Sequence, residues 1–326
     1  MMRVKDALKF NLPDSQHSRW SKADPGLRSQ TWVSTLTRIQ GSVIPAVMPR
    51  VLFCVTFGLL IAFLYSQGVP VSLPISSGIV PSIVLGLLLV FRTNTAYDRF
   101  WEGRKLWGNM VNASRNLARQ IWVAIEVNSD RGAALPESDK KRALRLVAAF
   151  AVATKLWLRR DPVNAELQSL VTPEQYDKLQ IMNHPPLEIA FWLSDYLQVQ
   201  QAKGNINPYQ LTNLTGLLNT LVDALGGCER ILKTPMPMAY SIHLKQLLMI
   251  YCLTLPFQVV GELGGWTALV VGLVAFAVFG IEEIGIEIEN PFGRDPNDLP
   301  LDDICLTMQR NIEDLMTLPP GIEGRG

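Results

Sequence analysis

The chain has 326 residues, a formal net charge of +1 from 30 Lys and Arg against 29 Asp and Glu, 48% hydrophobic residues and 18% charged ones. Soluble domains carry about 25% charged residues, and the shortfall here is concentrated: residues 51–91 hold no Asp, Glu, Lys, Arg or His, and neither do residues 263–281. This pattern argues against an ordinary soluble enzyme, and the lack of a basic excess argues against a nucleic-acid partner.

In chain order, residues 1–45 read as a polar N-terminal arm carrying Arg3, Lys5, Lys9, Arg19, Lys22, Arg28 and Arg38. An apolar run that begins so late is not a cleaved signal peptide. About 20 apolar residues cross the hydrocarbon core of a bilayer as a helix, so residues 46–91 are long enough for two spans. The Gly and two Pro of Gln67 to Pro74 place a turn between a first span at Ala46–Ser66 and a second at Ile75–Phe91. The competing reading, a core helix of a soluble protein, is disfavoured because uncharged runs of 18 or more residues are rare in soluble cores.

Residues 92–235 are charged and helical in pattern. Phe100, Trp101, Leu106, Trp107, Met110, Val111, Leu117, Ile121 and Ile125 recur at three- and four-residue offsets, so the second span is expected to continue as one helix from about Ser82 to Glu126. A break is predicted at Asn128 to Ser138, then a helix at Asp139–Arg159. Thr172-Pro173-Glu174-Gln175 has the cap, Pro and acid of a helix start. Pro185-Pro186 opens another helix, and Asn207-Pro208 one more that continues toward Gly226-Gly227.

Residues 236–281 return to low charge. A weaker third span is predicted at Ala239–Val260, with His243 and Lys245 near its start, and a fourth at Leu263–Ile281, with Gly261-Glu262 as the hairpin between them. Residues 282–326 hold Pro291, Pro296 and Pro300 and then a short helix at Leu301–Met316. The basic arm precedes the first span and Arg50 lies near its start, whereas the two short turns hold no Lys or Arg. The positive-inside rule then puts both termini and the middle segment on the cytoplasmic or equivalent side.

Chemistry is sparse. The four Cys (Cys54, Cys228, Cys252, Cys305) have no redox or metal-ligand spacing. The three His (His17, His184, His243) lie far apart, and no Walker A loop or dinucleotide fingerprint occurs. No catalytic constellation is present, so an enzyme is not expected.

Two stretches are not explained by apolar packing: FRTNTAYDRFWEGRKLWG at residues 91–108, where the second span ends, and IEEIGIEIENPFGRDPNDLP at residues 281–300, after the fourth. Acids at the end of a span are costly unless paired or hydrated, and the arginines of the first stretch are the expected partners. The interfacial charge pairs are therefore sought among Arg92, Asp98, Arg99 and Arg104 on one side and Glu282 and Glu283 on the other.

These two stretches, with CERILKTP at residues 228–235, resemble the bestrophin family of ion channels, in its bacterial and plant-plastid branch. The resemblance covers about residues 40 to 316. It implies an all-α integral membrane protein with four transmembrane helices per subunit and a helical cytoplasmic region, assembled as a homopentamer around one axial pore lined by the second span. It implies an apolar neck at Ile79, Ile83 and Leu87. Val80, Val84 and Leu88 fit the same spacing, since nothing in the sequence sets the rotation of the helix. It implies a cytoplasmic aperture at Leu187 or Ile189. Animal relatives carry a calcium clasp whose positions correspond to Asp295 and Asp298, with the carbonyls of Glu287 and Asn290, but Arg294 interrupts the acidic run. Calcium is therefore not expected to be required, nor any cofactor. The permeant ions implied are small anions, chloride and with it bicarbonate; a cation-selective homologue and a non-channel membrane scaffold are the alternatives. Membrane lipid is the surrounding partner, in a bacterial inner membrane or a thylakoid or plastid membrane.

Overall fold

A computed structural model describes residues 39, 41–73, 76–125 and 136–318. The basic arm lies outside the described residues apart from Ile39 and residues 41–45, as do residues 128–135 of the break predicted at Asn128 to Ser138, whose last three residues are instead helical. The described residues before Val43 belong to a unit of their own, in which Ser42 N–H donates to the Ile39 carbonyl at 3.1 Å. A second unit begins at Val43 and holds all the helices among the described residues.

Every regular element among the described residues is helical: α1 (Ile44–Ser66), α2 (Ser76–Ala124), α3 (Pro136–Arg159), α4 (Ala165–Gln168), α5 (Pro173–Ile181), α6 (Pro185–Ala202), α7 (Pro208–Lys233), α8 (Met238–Leu263), α9 (Thr267–Glu289) and α10 (Leu301–Leu315). Among them, three helical stretches are long and apolar enough to cross a membrane: Ile44–Ser66, Val80–Ala124 and Met238–Glu289. The third contains the two C-terminal spans expected from the sequence, broken at Gly264–Trp266 into α8 and α9.

Helix α1 begins with Pro in its first turn and ends at Gln67-Gly68, where Gly68 takes φ +81°. Its buried residues, Val47, Val51, Cys54, Gly58 and Ile61, fall on one helical face. The other faces are as apolar and are exposed, with Leu52, Phe53, Leu60 and Phe63 pointing outward. A helix apolar all round but buried on one side suits lipid contact. Small residues let α9 approach it closely: a Cβ on Gly58 would lie 3.2 Å from the Ala268 Cα, and one on Gly272 would lie 2.7 Å from Val55 Cγ2.

The break between α8 and α9 is not at Gly261-Glu262, which remain helical. Gly264 takes the positive φ, +50°, that turns the chain, and the Thr267 hydroxyl donates to its carbonyl at 2.7 Å. Gly261 serves a different need, since a Cβ there would lie 2.6 Å from Ser72 Oγ in the loop after α1.

Helix α2 has 49 residues and is about 74 Å long at 1.5 Å per residue. It contributes to both hydrophobic cores. Leu85 and Leu89 join Val51, Cys54, Leu248, Cys252, Val271 and Phe279 in the core of the apolar helices. Further along, Trp107, Met110, Leu117 and Ile121 join Phe150, Leu193, Leu221 and Met308 in the core of a helical body built from α3 to α7 and α10. Caps set the starts in that body. Thr172 with Gln175, and Asn207 with Gln210, form capping boxes on α5 and α7. Helix α7 runs through Gly226-Gly227 to Lys233, because Gly227 leaves room for Leu106 of α2, whose methyls would lie 2.7 and 2.8 Å from a Cβ.

Candidate functional site

The rotation of α2 follows from its neighbours. Leu85 and Leu89 are buried against α1, α8 and α9, and Leu88 is half-buried beside them, where the Tyr240 hydroxyl donates to the Leu88 carbonyl at 2.9 Å. Ile83 and Leu87 lie on the opposite side, 66% and 55% exposed. Val80 and Val84 are also exposed, but the row they begin turns back into the core at Leu88. The row of Ile83 and Leu87 does not. The side chain of Ile79 lies outside the described residues.

One turn beyond, the helix carries its first charge. Arg92 is 3% exposed and ion-pairs with Glu289 at the end of α9, Nη2 to Oε2 at 2.7 Å. The other carboxylate oxygen of Glu289 accepts from Met236 N–H at 2.8 Å, and Arg92 Nη1 reaches Met236 Sδ at 3.4 Å. Gly285 gives the arginine its space, since a Cβ there would touch Arg92 Cγ at 3.5 Å. Arg99 donates to three carbonyls: Glu289 at 3.1 Å, Ile231 at 2.6 Å and Thr234 at 2.5 Å. The ends of α7 and α9 are thus gathered on two arginines of α2, which satisfy carbonyls that helix termini leave open.

Glu282 and Glu283 do not pair with these arginines. Arg50 of α1 takes them at 3.4 and 3.0 Å, and Lys245 of α8 lies 3.9 Å from Glu282. The reason is height: Glu282 sits seven residues, about 10 Å along the helix, before Glu289, where α9 packs on α1 and α8. Asp98 and Arg104 are exposed on α2, and it is Glu102 that bonds across to α7, through Arg230 at 2.6 Å.

The two aperture candidates separate at the start of α6, which lies beside the C-terminal end of α7. Leu187, in the first turn of α6, is 51% exposed. Ile189 is 0% exposed within the hydrophobic core of the body and cannot line a water-filled passage. His184 holds this helix start: its Nδ1 accepts from Leu187 N–H at 3.2 Å, while Nε2 meets Glu229 Oε1 at 2.8 Å. Glu229 also accepts from the Trp157 indole and from Lys233 at 3.3 Å. Burial pushes its carboxyl upward, but these donors win and hold it below the ordinary glutamate range.

The turn at 290–300 is closed by its own chain. Phe292 is fully buried, Leu299 N–H donates to the Pro291 carbonyl at 3.0 Å, and Asp298 Oδ2 accepts from Asp295 N–H at 2.8 Å. Glu287 accepts from the Asn297 amide at 2.6 Å, and Asn290 Oδ1 faces Phe292 N–H at 3.4 Å. No group of three or more His, Cys, Asp or Glu suited to a metal occurs among the described residues. Asp298 Oδ2 is taken by the backbone and the Glu287 carboxylate by Asn297, while Asp298 Oδ1 is buried with no hydrogen-bond partner among the described residues.

Residues 26–314 match the family model described as Bacterial/Fungal Bestrophin protein. The chain is 61% identical over 293 residues to a voltage-dependent anion channel-forming protein of Nostoc sp., covering 89% of this chain and 94% of that one. It is 58% identical over 296 residues to a voltage-dependent anion channel-forming protein of Synechocystis sp., covering 91% and 95%. Among solved structures it is similar to a bacterial bestrophin homolog from Klebsiella pneumoniae, with a TM-score of 0.76 and 27% identity over 84% of this chain and 100% of that one.

Proposed function

This chain belongs to the bacterial and fungal bestrophin family, and from that premise we propose that it is an anion channel, passing chloride and bicarbonate along an axis lined by α2 from five copies of the subunit. Each copy crosses the membrane four times, through α1, the first half of α2, α8 and α9, with the helical body and both termini on the cytoplasmic or equivalent side of a bacterial inner membrane or a thylakoid or plastid membrane. The observation that carries this reading is the exposed Ile83 and Leu87 row. It lies on the side of α2 turned away from the subunit's own core, on a helix that passes unbroken from the apolar region into the body. Five such rows make an apolar constriction that conducts only when wetted, and the exposed Leu187 forms a second constriction.

A neck of Ile and Leu has no charge preference, so selectivity falls to charged groups along the path. An open ring of carboxylates would favour cations. Three of the four acids at the end of α9 are ion-paired instead, Glu282 and Glu283 with Arg50 and Glu289 with Arg92, and the fourth, Glu287, bonds the Asn297 amide. This favours anions over the cation-selective reading. The channel acts without calcium or another cofactor, and chelator is expected to leave its conductance unchanged.

The test is the mass of the detergent-solubilised protein by native mass spectrometry, together with chloride efflux from loaded proteoliposomes. Five copies and chloride-dependent efflux are expected. A monomer or dimer without efflux would favour a membrane scaffold.

A further inference from the structure

We propose that Lys105 and Arg119, on the cytoplasmic half of α2, are the residues that set the anion preference, by lining the inner pathway with charge that no carboxylate of the described chain neutralises. This rests on the reading of Ile83 and Leu87 as facing the pathway.

The helix itself makes the connection. Eighteen residues are five full turns at 3.6 residues per turn, so residues eighteen or thirty-six apart share a face. Lys105 lies eighteen residues after Leu87, and Arg119 thirty-six after Ile83. Asn94 and Asn112, also eighteen apart, run along the same strip. All six side chains are exposed, whereas the opposite face of the same segment, at Trp107, Met110, Leu117 and Ile121, is the core of the body. A helix turned so that its neck residues look into the pathway therefore presents amides and cations to it in alternation, with Lys105 about 27 Å beyond Leu87.

Some cations of the molecule are neutralised, while others, Arg104 and Arg115 on this same helix among them, find no carboxylate among the described residues. Arg50, Arg92, Lys155, Arg159, Arg230 and Arg294 all find carboxylates. Lys105 and Arg119 find none among the described residues. The Lys105 ammonium overlies the Trp101 ring at 5.8 Å. The acids on α2 are Asp98, exposed about two turns before Lys105 and about 10 Å from it along the helix, and Glu102, which Arg230 bonds from α7. Unpaired cations in a narrow passage raise the local anion concentration and exclude cations, and low-dielectric walls focus that field. Repetition in each subunit turns two residues into two rings, the arrangement that gives a pore its charge preference. The amide of Asn94 adds N–H donors between the neck and the first ring, and that of Asn112 adds them between the two rings.

The experiment uses the full chain in planar bilayers under a NaCl gradient. The double variant Lys105→Glu/Arg119→Glu is expected to lower the chloride-to-sodium permeability ratio several-fold and to move the reversal potential toward the sodium equilibrium value. Lys105→Gln/Arg119→Gln, which keeps the helix and adds no repulsion, is expected to fall between that variant and the wild type. Lys203→Glu, a charge reversal at an exposed position at the end of α6, is expected to leave selectivity as in the wild type. If the wild type is anion-selective and both double variants match it in permeability ratio and conductance, the assignment to Lys105 and Arg119 is wrong while the channel reading stands. If Lys203→Glu shifts the ratio as far as the double variants do, the effect is general surface charge and the assignment is again wrong. A wild type that carries no anion current would overturn the channel reading itself.

Discussion

Arg92 of α2 and Glu289 of α9 form a 2.7 Å ion pair at the point where the long helix leaves the apolar core, with the guanidinium almost wholly shielded from water. Glu289 is fixed on its other oxygen by Met236 N–H. Breaking a buried pair by removing one partner typically costs about 3–5 kcal/mol, because the remaining charge stays buried; the 18% exposure of the Glu289 side chain reduces that here. Arg92→Met is therefore expected to lower the thermal midpoint of the solubilised protein by more than Glu289→Gln. The double variant should lose less than the sum, with a coupling of roughly 1–3 kcal/mol. Additive losses in that cycle would show that the two side chains do not depend on each other.

The rotation of α2 divides its apolar residues into two classes with different readouts. Leu85→Ala and Leu89→Ala remove buried side chains from the core shared with α1, α8 and α9, and each should cost about 2–5 kcal/mol of stability. Ile83→Ala and Leu87→Ala remove exposed ones, so stability should change by only about 0.5 kcal/mol. Single-channel conductance or open probability should rise instead, as the apolar ring widens. Unchanged currents in both Ile83→Ala and Leu87→Ala would mean that another face of the helix lines the pathway.

Acid should loosen the helical body before alkali does. Lys155 of α3 bonds Glu166 of α4 at 2.7 Å and Asp302 of α10 at 2.9 Å, and Arg159 adds a second bond to Asp302 at 2.8 Å. Burial opposes ionisation of Asp302, but the bonds from Lys155 and Arg159 outweigh it and hold the acid below its ordinary value; Glu229 is lowered for the same kind of reason. Their folded values lie below the unfolded ones, so their stabilising effect is complete above about pH 4.5 and is lost as pH falls through the folded values. Burial would lower the Lys155 ammonium, yet its two carboxylates raise it above the ordinary lysine value. Its contribution is fully present below the unfolded lysine value and is lost only at still higher pH. Thermal midpoints measured from pH 3 to 8 should fall on the acid side, and Asp302→Asn should flatten that fall. An identical acid slope in the variant would remove this cluster from the explanation.

Helix α3 ends on a residue in the left-handed region that is not glycine. Arg160 has φ +58°, with its N–H donating to the Trp157 carbonyl at 3.1 Å and that of Asp161 to the Leu156 carbonyl at 2.9 Å, the bonding of a Schellman end. An L side chain in that conformation costs roughly 1 kcal/mol, and Arg160 is exposed. Arg160→Gly is expected to stabilise the protein by about 0.5–1 kcal/mol, read as a higher thermal midpoint. A lower midpoint would mean that the arginine side chain contributes more than its backbone costs.

Local signals are legible in the sequence wherever chemistry and geometry act within a few residues. Thr172, Asn207 and Pro185 mark helix starts because caps and Pro operate over one turn. The turn between α8 and α9 lies three residues beyond its expected place, since a Gly needed for a positive φ and a Gly needed for close approach look alike in sequence: Gly264 is the first kind and Gly261 the second. The four residues of α4, capped by Asn164, are too short for any periodicity. At the candidate site, the pairing of a span-end acid with an arginine is foreseeable from cost alone, but its partners are not. Arg50 is 232 residues from Glu282, and only the packing of α9 on α1 brings them together. Leu187 and Ile189 differ by two positions and therefore by more than half a turn of helix. Choosing between them requires knowing which side of α6 faces the body.

The reversal potential of the purified protein in a planar bilayer under a chloride gradient is the most direct test of anion conduction along α2. An anion channel lined by this helix predicts a reversal potential near the chloride equilibrium value, following chloride when sodium is replaced by a larger cation. A potential that tracks the cation equilibrium value would contradict it.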